Sequence, residues 1–443
     1  MSRYTLLTGA TGFLGRYLLR DLLVQNERVA VLARPAQHQS VRERIETILQ
    51  GWERQLQQYL PRPQYFVGDV CQDQCGLTES DCVWIRRNCR RVVHCIGQAS
   101  PDESCHDSVL PQANIDSVQR MLELCRRCGI GDLHYVSTIL VSGQRQGTIT
   151  EDELDAGQTF DNAYHESRFH AERIVRLDSG IRRRTIYRPC VITGEWNRQF
   201  HGTGDALSAS IQLQANLQDG EPEDSPASDA AANAPSTQYV APVDWVASAV
   251  GRLLAEPEAW GRTLHVCPQE PLAQQDVVEA VRTYRQNNGG KPSVPAHVKR
   301  LAIPFQKALP VYDRQNFLQF SGNMACPKMQ NGVLRHYCEN LGKAASATAR
   351  DDGLHIEHWS DAVVSFARAD VIDALMDGFA STASRTIGLD VVGSGGGQWS
   401  LQRGPLDLLT VVPGLPTVKV PVVRMTTGEL SQLLEAPCDR WSA

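Results

Sequence analysis

A glycine-rich segment near the start of the chain constrains the fold more than any other feature. Residues 8–15 read TGATGFLG and lie between a short apolar run and a longer amphipathic one. The glycines therefore fall where a strand turns into a helix. At such a turn, Gly9 supplies a tight bend, Gly12 lets the backbone approach a pyrophosphate, and Gly15 lets helix and strand pack closely. The free N–H groups of the helix N-terminus would bind that pyrophosphate. The alternative is an ordinary strand-to-helix turn.

The first 270 residues alternate short apolar runs with longer amphipathic segments. This alternation predicts βαβ units and an α/β fold, a Rossmann-type doubly wound parallel sheet with helices on both faces. The predicted strands are Tyr4–Thr8, Arg28–Arg34, Gln64–Val70, Arg91–Ile96, Leu133–Thr138, Thr185–Arg188 and Arg262–Val266. Predicted helices between them include Val41–Leu60, Val109–Cys128 and Ala163–Arg176.

Composition narrows the class of protein. The chain has 443 residues, a formal net charge of −6 and 42% hydrophobic residues, as in soluble globular proteins. The negative charge argues against nucleic acid as a partner, and no apolar run is long enough to span a membrane. We expect no signal peptide, because no basic and then apolar run opens the sequence. The 13 cysteines include one C-x-x-C pair, Cys125 and Cys128, without a second pair to complete a metal site. We therefore expect a cytoplasmic protein with free thiols and no metal.

Changes in the sequence pattern divide the chain into three parts. We predict a Rossmann domain over residues 1–295, a cap on the substrate side over residues 296–342 and a small α+β domain over residues 354–443. A linker precedes this last domain. Residues 219–236 are rich in Asp, Ser, Ala and Pro, which predicts a mobile loop over the substrate side or, alternatively, a tolerated surface insertion.

The C-terminal part has a different pattern, in which two helices, His358–Phe379 and Thr427–Leu434, enclose short strands. The predicted strands are Gly388–Val392, Gln398–Leu401, Leu406–Val412 and Val418–Met425. The segments GGQWSL and TGELSQLL, with the strands between them, resemble the sterol-carrier-protein-like fold. That resemblance implies an apolar tunnel for a lipid. The alternative is a domain that packs its own core and mediates dimerisation.

Three polar side chains suggest a dinucleotide cofactor and proton transfer. Arg34 ends the second predicted strand, where proteins that choose NAD usually place an acid for the ribose hydroxyls. An arginine instead suits the 2′-phosphate of NADP(H), so we expect NADP(H), with NAD(H) as the alternative. Tyr164 and Arg168 lie four residues apart, on one helix face. The cation would favour the phenolate, so that Tyr164 could exchange a proton near neutral pH.

Together these motifs resemble the extended short-chain dehydrogenase/reductase family, and most closely its thioester-reductase and fatty-acyl-reductase branch. The resemblance covers about three fifths of the chain. It is carried by the glycine loop, Arg34, and the segments YVST at 135–138, NAYHESR at 162–168, YRP at 187–189 and APVDWVA at 241–247. The sequence departs from the family pattern at Arg168, which stands in place of lysine. The positive charge is kept, whereas the planar guanidinium has a different shape.

The resemblance implies roles for individual residues. Thr138 and Tyr164 would bind the substrate carbonyl oxygen, Tyr164 would supply the proton, and Arg168 would hold the nicotinamide ribose. These three form the predicted catalytic set. The implied cofactor-binding residues are Gly9, Thr11, Gly12, Phe13, Leu14, Gly15, Arg34, Asp69, Val70, Tyr164, Arg168, Pro189 and Val191.

The implied reaction is NADPH-dependent reduction of an acyl thioester, carried on coenzyme A or on a carrier protein, to an aldehyde. One alternative is a ketone or alcohol dehydrogenase, or a sugar-nucleotide epimerase, on the same scaffold. Another is a protein that binds NADP(H) or lipid without turnover, for which the arginine at position 168 is the reason. The implied partners are a small acyl thioester or lipid, an acyl carrier protein and a second copy in a homodimer.

Overall fold

The computed structural model describes residues 4–35, 39–97, 109–196, 236–288, 309–329, 333–335 and 337–339, and four strands beyond residue 385. The chain divides into two compact units, Met1–Gly342 and Lys343–Ala443. Several predicted features lie outside the described residues: almost all of the 219–236 loop, the linker, and the helices His358–Phe379 and Thr427–Leu434. All the predicted site residues lie in the first unit.

The first unit alternates strands and helices. Its strands are β1 (Tyr4–Thr8), β2 (Val29–Ala33), β3 (Gln64–Val67), β4 (Cys89–His94), β5 (Asp132–Val136), β6 (Thr148–Ile149), β7 (Arg183–Pro189), β8 (Val191–Thr193), β9 (Thr237–Gln238), β10 (Val240–Pro242), β11 (Thr263–Val266), β12 (Leu272–Ala273) and β13 (Val311–Tyr312). Its helices are α1 (Phe13–Val24), α2 (Val41–Leu56), α3 (Glu79–Asn88), α4 (Val109–Cys128), α5 (Ala163–Leu177), α6 (Val243–Ala255), α7 (Gln274–Asn288) and α8 (Gln315–Ser321).

Seven of these strands form one parallel sheet, in the order β11-β7-β5-β4-β1-β2-β3. The strand order changes direction at β1, because β2 lies on one side of it and β4 on the other. A crevice forms at the carboxyl ends of the strands at such a switch point, and α/β proteins bind ligands there. The predicted Rossmann-type parallel sheet is therefore confirmed.

The predicted elements differ from the observed ones mainly at their ends. β3 stops short of its predicted end because the N–H of Asp69 bonds the carbonyl of Cys75 in a turn (2.9 Å). α2 stops short because Gln57 adopts the left-handed conformation, with φ of 53°. β5 stops short because Thr138 begins a 3-10 helix over Ile139–Ser142. In each case a local hydrogen bond or backbone angle ends the element before the apolar pattern does.

Apolar side chains cover both faces of the sheet. On one face, α1, α2 and α6 bury residues such as Leu19, Ile45 and Val250. On the other face, α3, α4 and α5 bury residues such as Ile85 and Leu122. Each such side chain stabilises the fold by about 1.5–3 kcal/mol on transfer from water. This packing leaves the loops at the carboxyl edge of a rigid sheet to form a site.

The described residues show neither a membrane-spanning helix nor a metal cluster. Within these ranges, no helix has the length and apolar character needed to cross a membrane. No group of three His, Cys, Asp or Glu side chains among them is placed to hold a metal ion. Cys125 and Cys128 are buried free thiols on α4. The Cys128 thiol donates to the carbonyl of Cys82 (3.6 Å), and burial raises the pKa of Cys128 to about 11.

The second unit contains a four-stranded sheet. Its strands are β14 (Thr386–Val392), β15 (Gly397–Arg403), β16 (Leu409–Pro413) and β17 (Val422–Thr426). The order is β16-β15-β14-β17, in which β14 pairs antiparallel with β15 and parallel with β17. Each strand overlaps one that the sequence predicts. The resemblance of this unit to sterol carrier proteins stays a prediction.

Candidate active site

Two glycines at the turn between β1 and α1, Gly9 and Gly15, are packed too closely against backbone atoms to be replaced by residues with side chains. Gly9 has φ of +76°, and a Cβ there would lie 2.1 Å from the carbonyl oxygen of Cys95. A Cβ on Gly15 would lie 1.8 Å from the carbonyl oxygen of Gly9. Both positions therefore require glycine, and their lack of side chains brings the turn against the residue that follows β4.

The N-terminus of α1 has the properties of an anion site. The helix begins at Phe13, after Gly12, whose N–H bonds the carbonyl of Gly9 (2.9 Å). No side-chain hydrogen bond caps this end within the described residues, and the first turn holds no acid. Its N–H groups and helix dipole are therefore available to a phosphate. The turn thus fits the pyrophosphate that the sequence predicts beside Thr11 and Leu14.

Two arginines lie together at the end of β2. The side chain of Arg34 is largely exposed and forms an ion pair with Asp69 at 3.7 Å. Arg44, in the first turn of α2, donates from its guanidinium to the carbonyl of Arg34. Burial, with the charge of Arg34, lowers the pKa of Arg44. The sequence reasoning missed Arg44, although the capping box of Ser40 and Glu43 marks the helix start that places it here.

Asp69 and Val70 follow β3 at the same edge of the sheet. The Asp69 carboxylate accepts the N–H of Cys71 (3.0 Å), and Val70 is buried. A Cβ on Gly68 would lie 2.3 Å from the carbonyl oxygen of Cys75, so this turn is also closely packed. The contact of Asp69 and Val70 with an adenine ring stays a prediction.

Thr138 lies directly after β5, at the start of the Ile139–Ser142 turn. Its hydroxyl oxygen accepts the N–H of Leu140 (3.2 Å). Because that oxygen accepts a bond from the backbone, the hydroxyl proton remains available to a ligand. The turn ends at Gly143, which has φ of +57°, and a Cβ there would lie 2.2 Å from the carbonyl oxygen of Thr159.

Tyr164 and Arg168 lie one turn apart on α5. Asn162 caps this helix, since its side-chain oxygen accepts the N–H of His165 (2.9 Å). The cap fixes where the helix begins and hence which residues of the predicted motif share a face. Tyr164 is half-buried near the helix start, whereas Arg168 is buried. Thr138 caps the Ile139–Ser142 turn, and Asn162 caps the helix that carries Tyr164. A separate cap therefore places each of these two residues.

The guanidinium of Arg168 joins the carboxyl ends of two neighbouring strands. It donates to the carbonyl of Ile96 after β4 (2.9 Å) and to that of Val136 at the end of β5. Its central carbon lies 5.3 Å from the ring centre of Tyr135. A Cβ on Gly97 would lie 2.9 Å from Nη1 of Arg168. An alanine at position 97 would therefore require the bonded guanidinium of Arg168 to shift.

Buried neutral rings surround this cation. Nδ1 of His94 is hydrogen-bonded to the hydroxyl of Thr8 (2.8 Å), and the His94 ring stacks on Tyr135 with centroids 5.9 Å apart. Burial, together with the charge of Arg168, lowers the pKa of His94 to about 3. Burial raises the pKa of Tyr135 to about 12. Both rings are neutral at physiological pH, so Arg168 supplies a fixed positive charge beside them.

A buried ion pair supports the strand end that precedes Thr138. Glu172 on α5 pairs with Arg188 on β7 at 2.7 Å, and both side chains are almost wholly inaccessible. The Ser137 hydroxyl donates to the same carboxylate (2.6 Å). Burial alone would raise the pKa of Glu172, but the charge and hydrogen bonds of Arg188 hold it below its ordinary value. The sequence reasoning gave neither side chain a role, because their pairing appears only in the folded chain.

Pro189 and Val191 are buried where β7 ends and β8 begins. The predicted site residues therefore lie at the carboxyl ends of β1, β2, β3, β5 and β7, at the start of β8, or in the first two turns of the helices beside them. The structure brings Arg34 into direct contact with Asp69. The Arg168 guanidinium donates hydrogen bonds to two backbone carbonyls. The predicted contact of this side chain with a ribose stays a prediction.

Comparison with known proteins agrees with this geometry. A model of the NAD-binding family described as "Male sterility protein" matches residues 7–250. Nonribosomal peptide synthetase asaC of Aspergillus flavus is 24% identical over 290 residues, which cover 61% of this chain and 26% of that protein. Fatty acyl-CoA reductase 1 of Rattus norvegicus is 25% identical over 242 residues, which cover 47% of each chain. This chain thus spans less than half the length of either relative.

A solved structure shows the same fold. The terminal R domain from the myxalamid PKS-NRPS biosynthetic pathway superposes with a TM-score of 0.62 at 24% identity, covering 79% of this chain and 91% of that one. The family match spans more than half of this chain and includes the whole of the glycine turn, the Thr138 turn and α5. The chain therefore belongs to the family of NAD-binding proteins described as male sterility proteins.

Proposed function

We propose that this chain reduces an acyl thioester, borne on coenzyme A or on a carrier protein, to an aldehyde with NADPH. The observation that carries the proposal is the convergence of the glycine turn, the Thr138 turn and the Tyr164 helix at one edge of the parallel sheet. The relatives support the thioester substrate, since they include a fatty acyl-CoA reductase and a nonribosomal peptide synthetase.

The two hydroxyl groups of the site act on the substrate carbonyl. The cofactor supplies a hydride to the carbonyl carbon when it is bound. Thr138 and Tyr164 donate hydrogen bonds to the carbonyl oxygen and stabilise the negative charge that develops on it. Tyr164 then protonates that oxygen, which gives a hemithioacetal. The carbon–sulfur bond breaks as the hydroxyl proton returns to Tyr164, and the thiolate leaves and takes a proton from water.

Arg168 contributes a permanent charge to this chemistry. Its guanidinium is held by the carbonyls of Ile96 and Val136, so it stays in place through the reaction. A guanidinium remains protonated at every physiological pH. Arg168 therefore keeps its positive charge throughout the reaction, one helical turn from Tyr164.

Arg34 and Arg44 support NADPH as the preferred cofactor. The Arg44 guanidinium donates to the backbone carbonyl of Arg34 at the end of β2, where a dinucleotide places its adenosine ribose. Guanidinium groups at this strand end suit a 2′-phosphate, which NADH lacks. We expect Arg34→Asp to lower kcat/KM for NADPH and to preserve or raise that for NADH. An unchanged ratio of the two values would remove Arg34 from cofactor choice.

The decisive experiment follows NADPH oxidation by the purified chain with acyl-coenzyme A esters of increasing chain length. We expect one free thiol and one trapped aldehyde for each NADPH oxidised in the first step. A rate that rises with chain length would support a lipid-handling C-terminal unit. Oxidation with ketones but with no thioester would favour the dehydrogenase alternative. Tight NADPH binding without oxidation by any substrate would favour a binding role.

A further inference from the structure

Residues 311–317, called the return segment below, come back to the sheet edge beside the site. Their first part, β13, pairs in parallel with β6. The N–H of Val311 donates to the carbonyl of Gly147 (2.8 Å), and the N–H of Asp313 donates to that of Ile149 (2.9 Å). This segment lies beyond residues 7–250, the range that matches the family.

Glu151 holds the other end of the return segment. Its buried carboxylate accepts the backbone N–H groups of Asn316 (2.6 Å) and Phe317 (3.2 Å). It also accepts the N–H of His265 on β11 (2.8 Å), and Nδ1 of His265 donates to the carbonyl of Asp313 (2.6 Å). The return segment is therefore fixed to the main sheet as well as to β6.

Tyr312 connects this fixed segment to the turn after Thr138. Its hydroxyl donates to the carbonyl of Ile139 (3.3 Å) and is hydrogen-bonded to the hydroxyl of Ser142 (2.8 Å). Burial raises the pKa of Tyr312, so the phenol keeps its proton. The phenol has a single proton, which it donates to the carbonyl of Ile139. Its oxygen therefore accepts the hydrogen bond from the Ser142 hydroxyl. One side chain thus holds the first and the last residue of the turn.

The same turn sets the direction of the Thr138 hydroxyl. The N–H of Leu140 donates to the hydroxyl oxygen (3.2 Å), and the N–H of Val141 donates to the Thr138 carbonyl (3.4 Å). Both donors lie between the two residues that Tyr312 holds. A shift of the turn would move the Leu140 N–H and so rotate the Thr138 hydroxyl that it bonds.

We propose that Tyr312 is a positioning residue, which acts through the Ile139–Ser142 turn to aim the Thr138 hydroxyl at the substrate carbonyl. The inference rests on the function proposed above, since Thr138 must bind the reacting oxygen for its direction to matter. It makes a segment outside the family-matched range part of the active site. Mispositioning by about 1 Å costs up to roughly 100-fold in rate, so the effect is measurable.

The test compares Tyr312→Phe with the wild-type chain. We expect kcat for thioester reduction to fall roughly tenfold while the Kd for NADPH is unchanged, because only orientation is lost. Amide hydrogen exchange at Leu140 should become faster, which reports the turn without any substrate. Ser142→Ala removes one of the two bonds, and we expect a smaller change in the same direction for both measurements.

Tyr187→Phe is the matched control. Tyr187 is also fully buried, and its hydroxyl is bonded to Nδ1 of His134 on β5 (2.9 Å) rather than to a residue of the turn. This variant loses a comparable buried hydrogen bond and should keep the wild-type kcat. Equal losses of kcat in Tyr312→Phe and Tyr187→Phe would overturn the proposal, and so would a wild-type kcat in Tyr312→Phe.

The failure of the proposed function would look different. In that case the wild-type chain would reduce no thioester. The role of Tyr312 would then be tested only by amide hydrogen exchange at Leu140. Unchanged exchange at Leu140 in Tyr312→Phe would then overturn the inference. Faster amide exchange confined to the Ile139–Ser142 turn would support the conclusion that Tyr312 holds this turn in place.

Discussion

The cofactor half of the site, at the ends of β1, β2 and β3, differs in construction from the catalytic half at the ends of β4, β5 and β7. The cofactor half depends on missing side chains: any Cβ on Gly9 or Gly15 would overlap a backbone carbonyl. The catalytic half depends on side chains that reach across the fold, such as the pair of Glu172 and Arg188. One half is built from local backbone geometry, the other from contacts between distant segments.

This difference predicts different kinds of failure. A side chain at Gly9 or Gly15 in the cofactor half should abolish binding because the backbone carbonyls there cannot move aside. A substitution in the catalytic half should leave binding intact and reduce rate or stability by an amount that depends on the partners left behind. The four predictions that follow test this contrast in order of decreasing effect.

Gly15→Ala should have the largest effect. Its Cβ would lie 1.8 Å from the carbonyl oxygen of Gly9, a distance that no real contact reaches. We expect titration to detect no NADPH binding. Gly51→Ala is the control, because a Cβ there would meet no heavy atom of the described chain within 4 Å. That change in α2 should stabilise the fold by about 0.5–1 kcal/mol. Normal binding by Gly15→Ala would contradict the model of the turn.

Tyr164→Phe should keep NADPH binding and lose turnover. Removal of a positioned general acid typically costs roughly 10²–10⁴-fold in rate. Steady-state kinetics with an acyl-coenzyme A ester would measure the loss in kcat. Tyr59→Phe is the matched variant on an exposed tyrosine, and it should behave as wild type. If Tyr164→Phe retained its kcat, another group would have to supply the proton.

Glu172→Gln should destabilise the fold, because it leaves the Arg188 charge buried without its counterion. Breaking a buried pair costs about 3–5 kcal/mol, to be measured by urea unfolding. Asp155→Asn, in an exposed 3.6 Å pair with Arg173, should cost less than about 1 kcal/mol. Equal costs in the two variants would show that burial adds nothing to the Glu172 pair.

Acid stability gives a second measurement of the same pair. The pKa of Glu172 is held below its ordinary value in the fold, so its ionisation stabilises the native state above the unfolded-state pKa. That contribution is lost as the pH falls through the folded-state pKa. The Glu172→Gln variant should therefore lose less stability than wild type over that acidic range.

Gly97→Ala should have the smallest effect, and it should depend on residue 168. The new Cβ would lie 2.9 Å from Nη1 of Arg168, and overpacking of this kind costs about 1–3 kcal/mol. In an Arg168→Lys background the planar guanidinium is gone, so the same alanine should cost less. A double-mutant cycle measures this coupling. Additive effects would show that the two positions are independent.

The comparison of the two halves also explains what could be predicted from the sequence. The glycine loop was readable because tight turns admit few residue types, and the parallel sheet was readable because short apolar runs alternate with helical ones. Arg44 was missed, although the capping box at Ser40 predicts the start of its helix. The bond from Tyr312 to Ser142 could not be predicted, since 170 residues separate the partners.

The sequence by itself determined the fold class, the cofactor turn and the family, because these depend on local patterns of glycine, apolar residues and helix caps. Only the tertiary structure decided that Arg168 bonds the carbonyls of Ile96 and Val136, and that Glu172 pairs with Arg188. It also decided that Tyr312 holds the Thr138 turn. The physical reason is burial: a buried polar group must find a partner, and packing rather than sequence distance selects which one.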